Sequence, residues 1–303
     1  MMKNTDFQQK ITAMLPNIEL RLWESMGKHT SFRIGGPAEV MAFPKNHGEL
    51  KQLLEASDLL DCNRVILGAG TNVLAPDAGI KGLVICLKGA LEGMERLDAT
   101  RIRVAAGVTM SRAAIFAAEL GLGGLEFAHG IPGTVGGGVY MNAGAYGGEI
   151  ADVCECVDVM WMDGRTETLT ARQMEFSYRH SRLEEEAGIV LSVTFRLASA
   201  PEEEIRSRIK ELQIKRKNSQ PLELPSAGSA FKRPVGGYAA ALIDQAGLKG
   251  YRVGDAAVSE KHAGFVVNLG NATSEDVQKL LIQVADKVFE MSGIRLEPEM
   301  RIW

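Results

Sequence analysis

The sequence has little of several things, and each scarcity removes a class of protein. Four cysteines in 303 residues (Cys62, Cys86, Cys154 and Cys156) are too few for a disulfide framework and fit a reducing compartment. Basic charge is not in excess: 34 Lys and Arg against 38 Asp and Glu leave a formal −4, with no positive field to hold a polyanion, so nucleic acid is not the expected partner. No stretch reaches the roughly 18 uninterrupted apolar residues of a membrane span. The first twenty residues carry no basic segment followed by an apolar run and a small-residue cleavage site, so neither a signal peptide nor a membrane anchor is expected, and the predicted location is cytoplasmic. Proline is sparse at 10, whereas glycine reaches 33, and the glycines pose the main question.

Composition is otherwise that of a folded protein, 46% apolar and 24% charged, and the length suits two or three domains. Thr5-x-x-Gln8 reads as a capping box opening a short helix that Pro16 stops. Asn46-x-x-Glu49 opens a second helix, and an alanine-rich third spans 109–121. Strand-like runs lie at 39–43, 64–67, 83–87 and 101–105; two more, 153–162 and 189–197, flank a region read as polar loop. Helices are expected over 201–217, 238–246 and 274–292, with a strand at 264–269. Cys154-x-Cys156 on a strand sets both thiols on one face, as a metal pair requires, but no second pair at metal spacing accompanies it, and both are read as ordinary strand residues.

Two segments hold the informative glycines. Gly68-Ala69-Gly70-Thr71-Asn72-Val73 follows the strand at 64–67, where backbone N–H groups can approach a phosphate; a tight turn explains this segment equally well. It is not a Rossmann fingerprint, because Val73 stands where the third glycine belongs and Pro76 spoils the helix. The second segment runs from 121 to 147 and includes Gly130, Pro132, Gly133, Thr134, Gly136, Gly137, Asn142, Gly144 and Ala145. Glycine mixed with apolar residues is not a flexible linker; it reads as backbone wrapped against a ligand.

With Ser177-Tyr178-Arg179-x-Ser181, Ala227-Gly228-Ser229-x-Phe231-Lys232-x-Pro234 and Leu296-Glu297-Pro298-Glu299-Met300-Arg301, these segments closely resemble the UDP-N-acetylenolpyruvoylglucosamine reductases. The resemblance runs from His29 to the C-terminus and is nearest the shorter subtype, which lacks a tyrosine-bearing loop. It implies an α+β fold: a vanillyl-alcohol-oxidase-type (PCMH-type) bipartite FAD-binding module, here 1–85 and 86–200, followed by an α+β substrate-binding domain, 201–303, with the last strand returning to the active site.

It also implies the cofactors FAD and NADPH, a UDP-sugar substrate, and reduction of an enolpyruvyl ether to UDP-N-acetylmuramate for peptidoglycan. Arg179 would stabilise the enolate, Glu299 would be the partner acid, and Ser229 would donate the proton. The glycine segments 68–73 and 130–145 would hold FAD with Arg216, while Tyr178 and Lys232 would meet the substrate. Taken singly, Ser229 reads as a turn hydroxyl, Arg179 as a surface ion-pair partner and Glu299 as a solvated carboxylate. For Arg216 a helix-end position, and for Arg301 an exposed strand position, stay as open as a contact to phosphate or carboxylate; His129 is expected to cap its turn and His262 to be structural. Two other classes compete, an FAD-dependent sugar or hydroxy-acid oxidase on the same scaffold and a non-catalytic nucleotide-binding module; the Ser229 and Glu299 motifs argue against both.

Overall fold

The computed structural model describes residues 5–303. Residues 1–4, part of the stretch read for a leader, lie outside the described residues. Helices are α1 Asp6–Met14, α2 His47–Leu59, α3 Met110–Glu119, α4 Val135–Tyr140, α5 Ile150–Val153, α6 Glu202–Ser219, α7 Ala239–Gln245 and α8 Ser274–Ser292. The chain divides into two units. One comprises Met1–Leu22, Val40–Ala69 and Gly82–Lys215; the other Trp23–Glu39, Gly70–Lys81 and Arg216–Trp303.

The first unit has two cores. In one, a five-stranded antiparallel sheet runs in the order Thr166–Thr170, Cys154–Trp161, Gly188–Arg196, Arg101–Ala105, Met94–Arg96. Its inward residues Ile102, Val104, Val157, Val193 and Phe195 share a core with Ala113, Ala114 and Ala117 of α3, whose small side chains let helix and sheet approach closely. The other core joins Ile11 of α1, Leu50, Leu53 and Leu54 of α2, and Leu83 and Ile85 of the strand Ile80–Cys86. That strand runs parallel to Arg64–Leu67, which delivers the chain to Gly68.

The second unit is built on the sheet order Ser226–Ser229, Phe265–Asn268, Ala256–Val258, Arg252–Val253. Helix α8 lays Val277, Leu280, Leu281, Val284 and Val288 into its core at helical spacing, with Phe32, Ile34 and Leu74 from the two earlier segments. Gly293, left-handed at φ +70°, ends the helix.

Two sequence readings are corrected here, and one strand stands where none was read. The polar stretch after residue 162 holds a strand, Thr166–Thr170, at the edge of its sheet; only Leu169 is buried, so the segment looks like loop. Glu19–Ser25 is also a strand, its partly buried Leu20 and Leu22 alternating with exposed Glu19 and Arg21. Between Cys154 and Cys156 the pairing slips: Cys154 opposes Phe195 and Cys156 opposes Thr194. This bulge interrupts the alternation that would set both thiols on one face. Burial pushes the Cys154 thiol up to about 12, which keeps it protonated and a poor metal ligand. Among the described residues, no group of three or more His, Cys, Asp and Glu side chains is placed to hold a metal.

Candidate functional site

In the first unit the glycines divide by what they touch. Gly68 follows its strand and faces the N-cap of α4; a Cβ there would stand 2.9 Å from Thr134 Oγ1. Thr134 accepts the Gly137 N–H at 3.3 Å. The Val135 and Gly136 N–H groups donate to the carbonyls of Val108 and Ala106 at 2.8 and 2.9 Å, so the first turn of α4 is satisfied internally. Gly136 lets that turn lie against Ala106, whose Cβ would be 2.9 Å from an added one. Some of these glycines therefore serve packing. The rest of the turn fits a nucleotide cofactor: Gly68 and the exposed Gly137 present side-chain-free backbone on either side of the Thr134 hydroxyl, a cradle that a Cβ would fill. Gly133 lies in the left-handed half of conformational space and Pro132 is exposed; Gly130 and Ala69 are partly buried.

The same unit builds the Tyr178–Arg179 turn onto the glycine-rich segment. Asn142 is fully buried; its Nδ2 donates to Ser177 O at 2.9 Å and its Oδ1 accepts the Ala151 N–H at 2.9 Å. Its amide thus holds two segments together. Ser181 Oγ donates to Tyr140 O at 2.8 Å. Arg179 Nη2 donates to Gly144 O at 3.2 Å, and its guanidinium lies 5.0 Å from the centre of the half-exposed Tyr178 ring. Gly144–Ala145 pairs with Gly148–Glu149 as a small hairpin. Arg216, which begins the last segment of the second unit, is half-buried in the last turn of α6. His129 does not cap its turn, which the Ile131 N–H closes onto Ala128 O; the ring meets Gln213 Nε2 at 3.1 Å, and burial lowers its pKa.

In the second unit, backbone pairing gathers the other predicted residues. Residues 230–232 run antiparallel to 297–299: the Glu299 N–H donates to Ala230 O at 2.9 Å and the Lys232 N–H to Glu297 O at 2.8 Å. Ser229, exposed and following left-handed Gly228, is thereby one residue from the bond that fixes Glu299. Asn72 joins them, its Nδ2 donating to Glu299 O at 3.3 Å while its own carbonyl accepts the Arg301 N–H at 2.9 Å. Val73–Leu74 and Arg301–Ile302 continue as a parallel pair. Thr71 is partly buried between Asn72 and Gly70. Lys232 Nζ is 4.0 Å from Glu297, an exposed pair of small energetic consequence. His262 is structural: Nδ1 accepts the Gly264 N–H at 3.1 Å and the ring meets Phe265 edge-on.

Sequence reasoning singled out Asn72 and Asn142, though for a cofactor rather than as anchors, and gave no role to the serines that also hold these segments. Ser31 Oγ donates to Ser226 O at 2.6 Å, at the start of the strand that ends in Ser229. Ser181 stood in a quoted motif without a role.

Comparison with known proteins gives the chain its family. Residues 38–170 match the profile of an FAD binding domain, and residues 220–303 that of the UDP-N-acetylenolpyruvoylglucosamine reductase C-terminal domain. The chain is 46% identical to the UDP-N-acetylenolpyruvoylglucosamine reductase of Agathobacter rectalis over 99% of its length and 98% of that protein. Against the enzyme of the same name from Streptococcus pneumoniae strain JJA it is 43% identical, with 97% of each chain covered. The crystal structure of the Thermus caldophilus reductase superposes with a TM-score of 0.77 at 37% identity, covering 95% of this chain and 99% of that one.

The fold and these matches define an α+β flavoprotein oxidoreductase with an FAD-binding module and a C-terminal domain. The chain belongs to the UDP-N-acetylenolpyruvoylglucosamine reductase family.

Proposed function

We propose that this chain reduces the enolpyruvyl ether of UDP-N-acetylglucosamine enolpyruvate to UDP-N-acetylmuramate, with NADPH as reductant and FAD as intermediary, in peptidoglycan precursor synthesis. The observation that carries the reading is identity of 46% along 99% of the chain with a reductase of that name. FAD held by the glycine segments would supply two-electron redox chemistry between NADPH and the substrate double bond.

The chain's own residues supply the rest. A hydride added to one carbon of an alkene conjugated with a carboxylate leaves charge on the carboxylate oxygens, and a proton must reach the other carbon. Arg179 offers a permanent positive charge to those oxygens. Ser229 gives the proton, a task for a hydroxyl only where the acceptor is strongly basic and water is excluded. Glu299 is assigned as the partner acid. Its N–H bond to Ala230 O, beside Ser229, supports pairing the two roles.

FAD is assigned to Gly68–Val73, to Gly130–Ala145 through the residues named above, and to Arg216; Tyr178 and Lys232 are assigned to the nucleotide sugar. We keep 1–85 and 86–200 as the two FAD-binding subdomains and 201–303 as the substrate-binding domain. The substrates are soluble nucleotides, and none of the described helices is long and apolar enough to cross a membrane, in keeping with a cytoplasmic location.

Purified protein should be yellow and should consume NADPH rapidly only with the enolpyruvyl UDP-sugar present. Ser229→Ala should leave flavin reduction by NADPH intact and slow product formation about 10²–10⁴-fold. Equal loss in both half-reactions would remove Ser229 as proton donor. Fast reoxidation by oxygen without need of NADPH would favour the oxidase reading instead.

A further inference from the structure

The turn that presents Arg179 is clamped from two sides, and one of the clamps is a histidine with no part in the proposed chemistry. Ser177 and His180 close the turn through reciprocal N–H to carbonyl bonds of 3.2 Å, leaving Tyr178 and Arg179 at its tip. Arg179 is left-handed at φ +58°, a conformation that a residue with a side chain holds only when its surroundings impose it. On one side, Ser181 and Asn142 tie the turn to residues 140–144. On the other, His180 Nε2 lies 2.6 Å from Glu185 Oε1, just beyond the 3-10 turn Arg182–Glu184.

We propose that His180 is a positioning residue for Arg179: bonded to Glu185, its ring fixes the left-handed turn and so aims the guanidinium, and the hold weakens when the imidazole loses its proton. The inference rests on the role assigned to Arg179 above. The hydrogen bond to Glu185 raises the His180 pKa against the opposing effect of partial burial, with the charges of Glu185 and Glu184 and the Glu175 carbonyl adding to the rise. The same bond lowers the pKa of Glu185. Arg182, the nearby cation of that 3-10 turn, is engaged by Glu186 at 2.7 Å. The pair is therefore charged on both members from the lowered pKa of Glu185 up to the raised pKa of His180, and loses its charge-assisted bond above that.

The test separates the two half-reactions by stopped flow across pH: reduction of bound FAD by NADPH, then reoxidation by the enolpyruvyl UDP-sugar. The wild-type reoxidation rate should fall as pH rises through the His180 pKa, which the imidazole proton resonances of the five histidines report independently of turnover. Glu185→Gln should lower that pKa and move the falling limb to lower pH by the same amount. His180→Asn should slow reoxidation about 10-fold to 100-fold and flatten the profile, with flavin reduction and thermal midpoint at wild-type values. A slow Arg179→Lys variant alongside a wild-type His180→Asn profile overturns the inference and leaves the Arg179 role standing. Wild-type reoxidation by Arg179→Lys removes that role itself. If His180→Asn fails to fold, Glu185→Gln decides alone: a shifted imidazole pKa with an unmoved limb overturns the inference.

Discussion

Gly70 carries two constraints at once. Its φ of +63° is left-handed, and a Cβ would lie 2.1 Å from the His29 carbonyl oxygen, a backbone atom with nowhere to go. Gly89 shares only the first constraint, with φ +75° and nothing within 4 Å of the added atom. Gly89→Ala should thus cost about 1–2 kcal/mol, the strain of the left-handed region alone. Gly70→Ala should cost 4 kcal/mol or more, of the order at which single substitutions become exceptional. Urea denaturation of both variants measures the difference, and equal midpoints would deny the steric term. At this scale the sequence was legible in kind but not in assignment. A glycine-rich tract at 130–147 is visible as a string, yet whether Gly136 serves a ligand or Ala106 depends on a strand 30 residues earlier, and nothing local encodes that. The catalytic candidates were legible only as motifs. What binds Arg179 to Gly144 or Glu299 to Ala230 is pairing between distant segments, which no periodicity announces.

Elements with a one-sided apolar pattern were read well, because burial of that face decides them. The helix expected over 274–292 is observed at Ser274–Ser292, and the strand-like runs at 64–67 and 101–105 are both strands, the second with alternating burial. Thr166–Thr170 escaped because an edge strand with one buried side chain has almost no pattern to read. The start of α8 holds a device that was equally hidden. Thr273 and Asp276 form a capping box, which local sequence can suggest, but Asp77 also accepts the N–H groups of Ser274 and Glu275 at 2.8 and 3.1 Å. A carboxylate there satisfies two orphan donors and meets the positive end of the helix dipole. Asp77→Ala should cost about 1–2 kcal/mol in equilibrium unfolding. Asp77→Asn, which keeps one acceptor, should cost less; a loss as large as that of alanine would mean the capping geometry is not what stabilises the helix.

For the molecule as a whole, the division of the chain matters more than the order of its motifs. The domain at 201–303 is what the family resemblance implies, and the C-terminal family match begins at 220. The compact unit that contains 216–303 also takes 23–39 and 70–81, while 201–215 belong to the other unit. Phe32, Ile34 and Leu74 from these segments are almost wholly buried in its core. Asn268 Nδ2 donates to Phe32 O at 3.1 Å, Ser31 reaches Ser226, and Val73–Leu74 pairs with Arg301–Ile302. Burying three large apolar side chains contributes about 5–9 kcal/mol, as much as the entire stability of many domains. The fragment 216–303 expressed alone should therefore lack a cooperative transition in urea and give a narrow amide proton spectrum. Restoring 23–39 and 70–81 through flexible linkers should recover both. A lone fragment with dispersed resonances and a sharp transition would show instead that the C-terminal sheet and α8 suffice, and that the two earlier segments are held by a domain already folded.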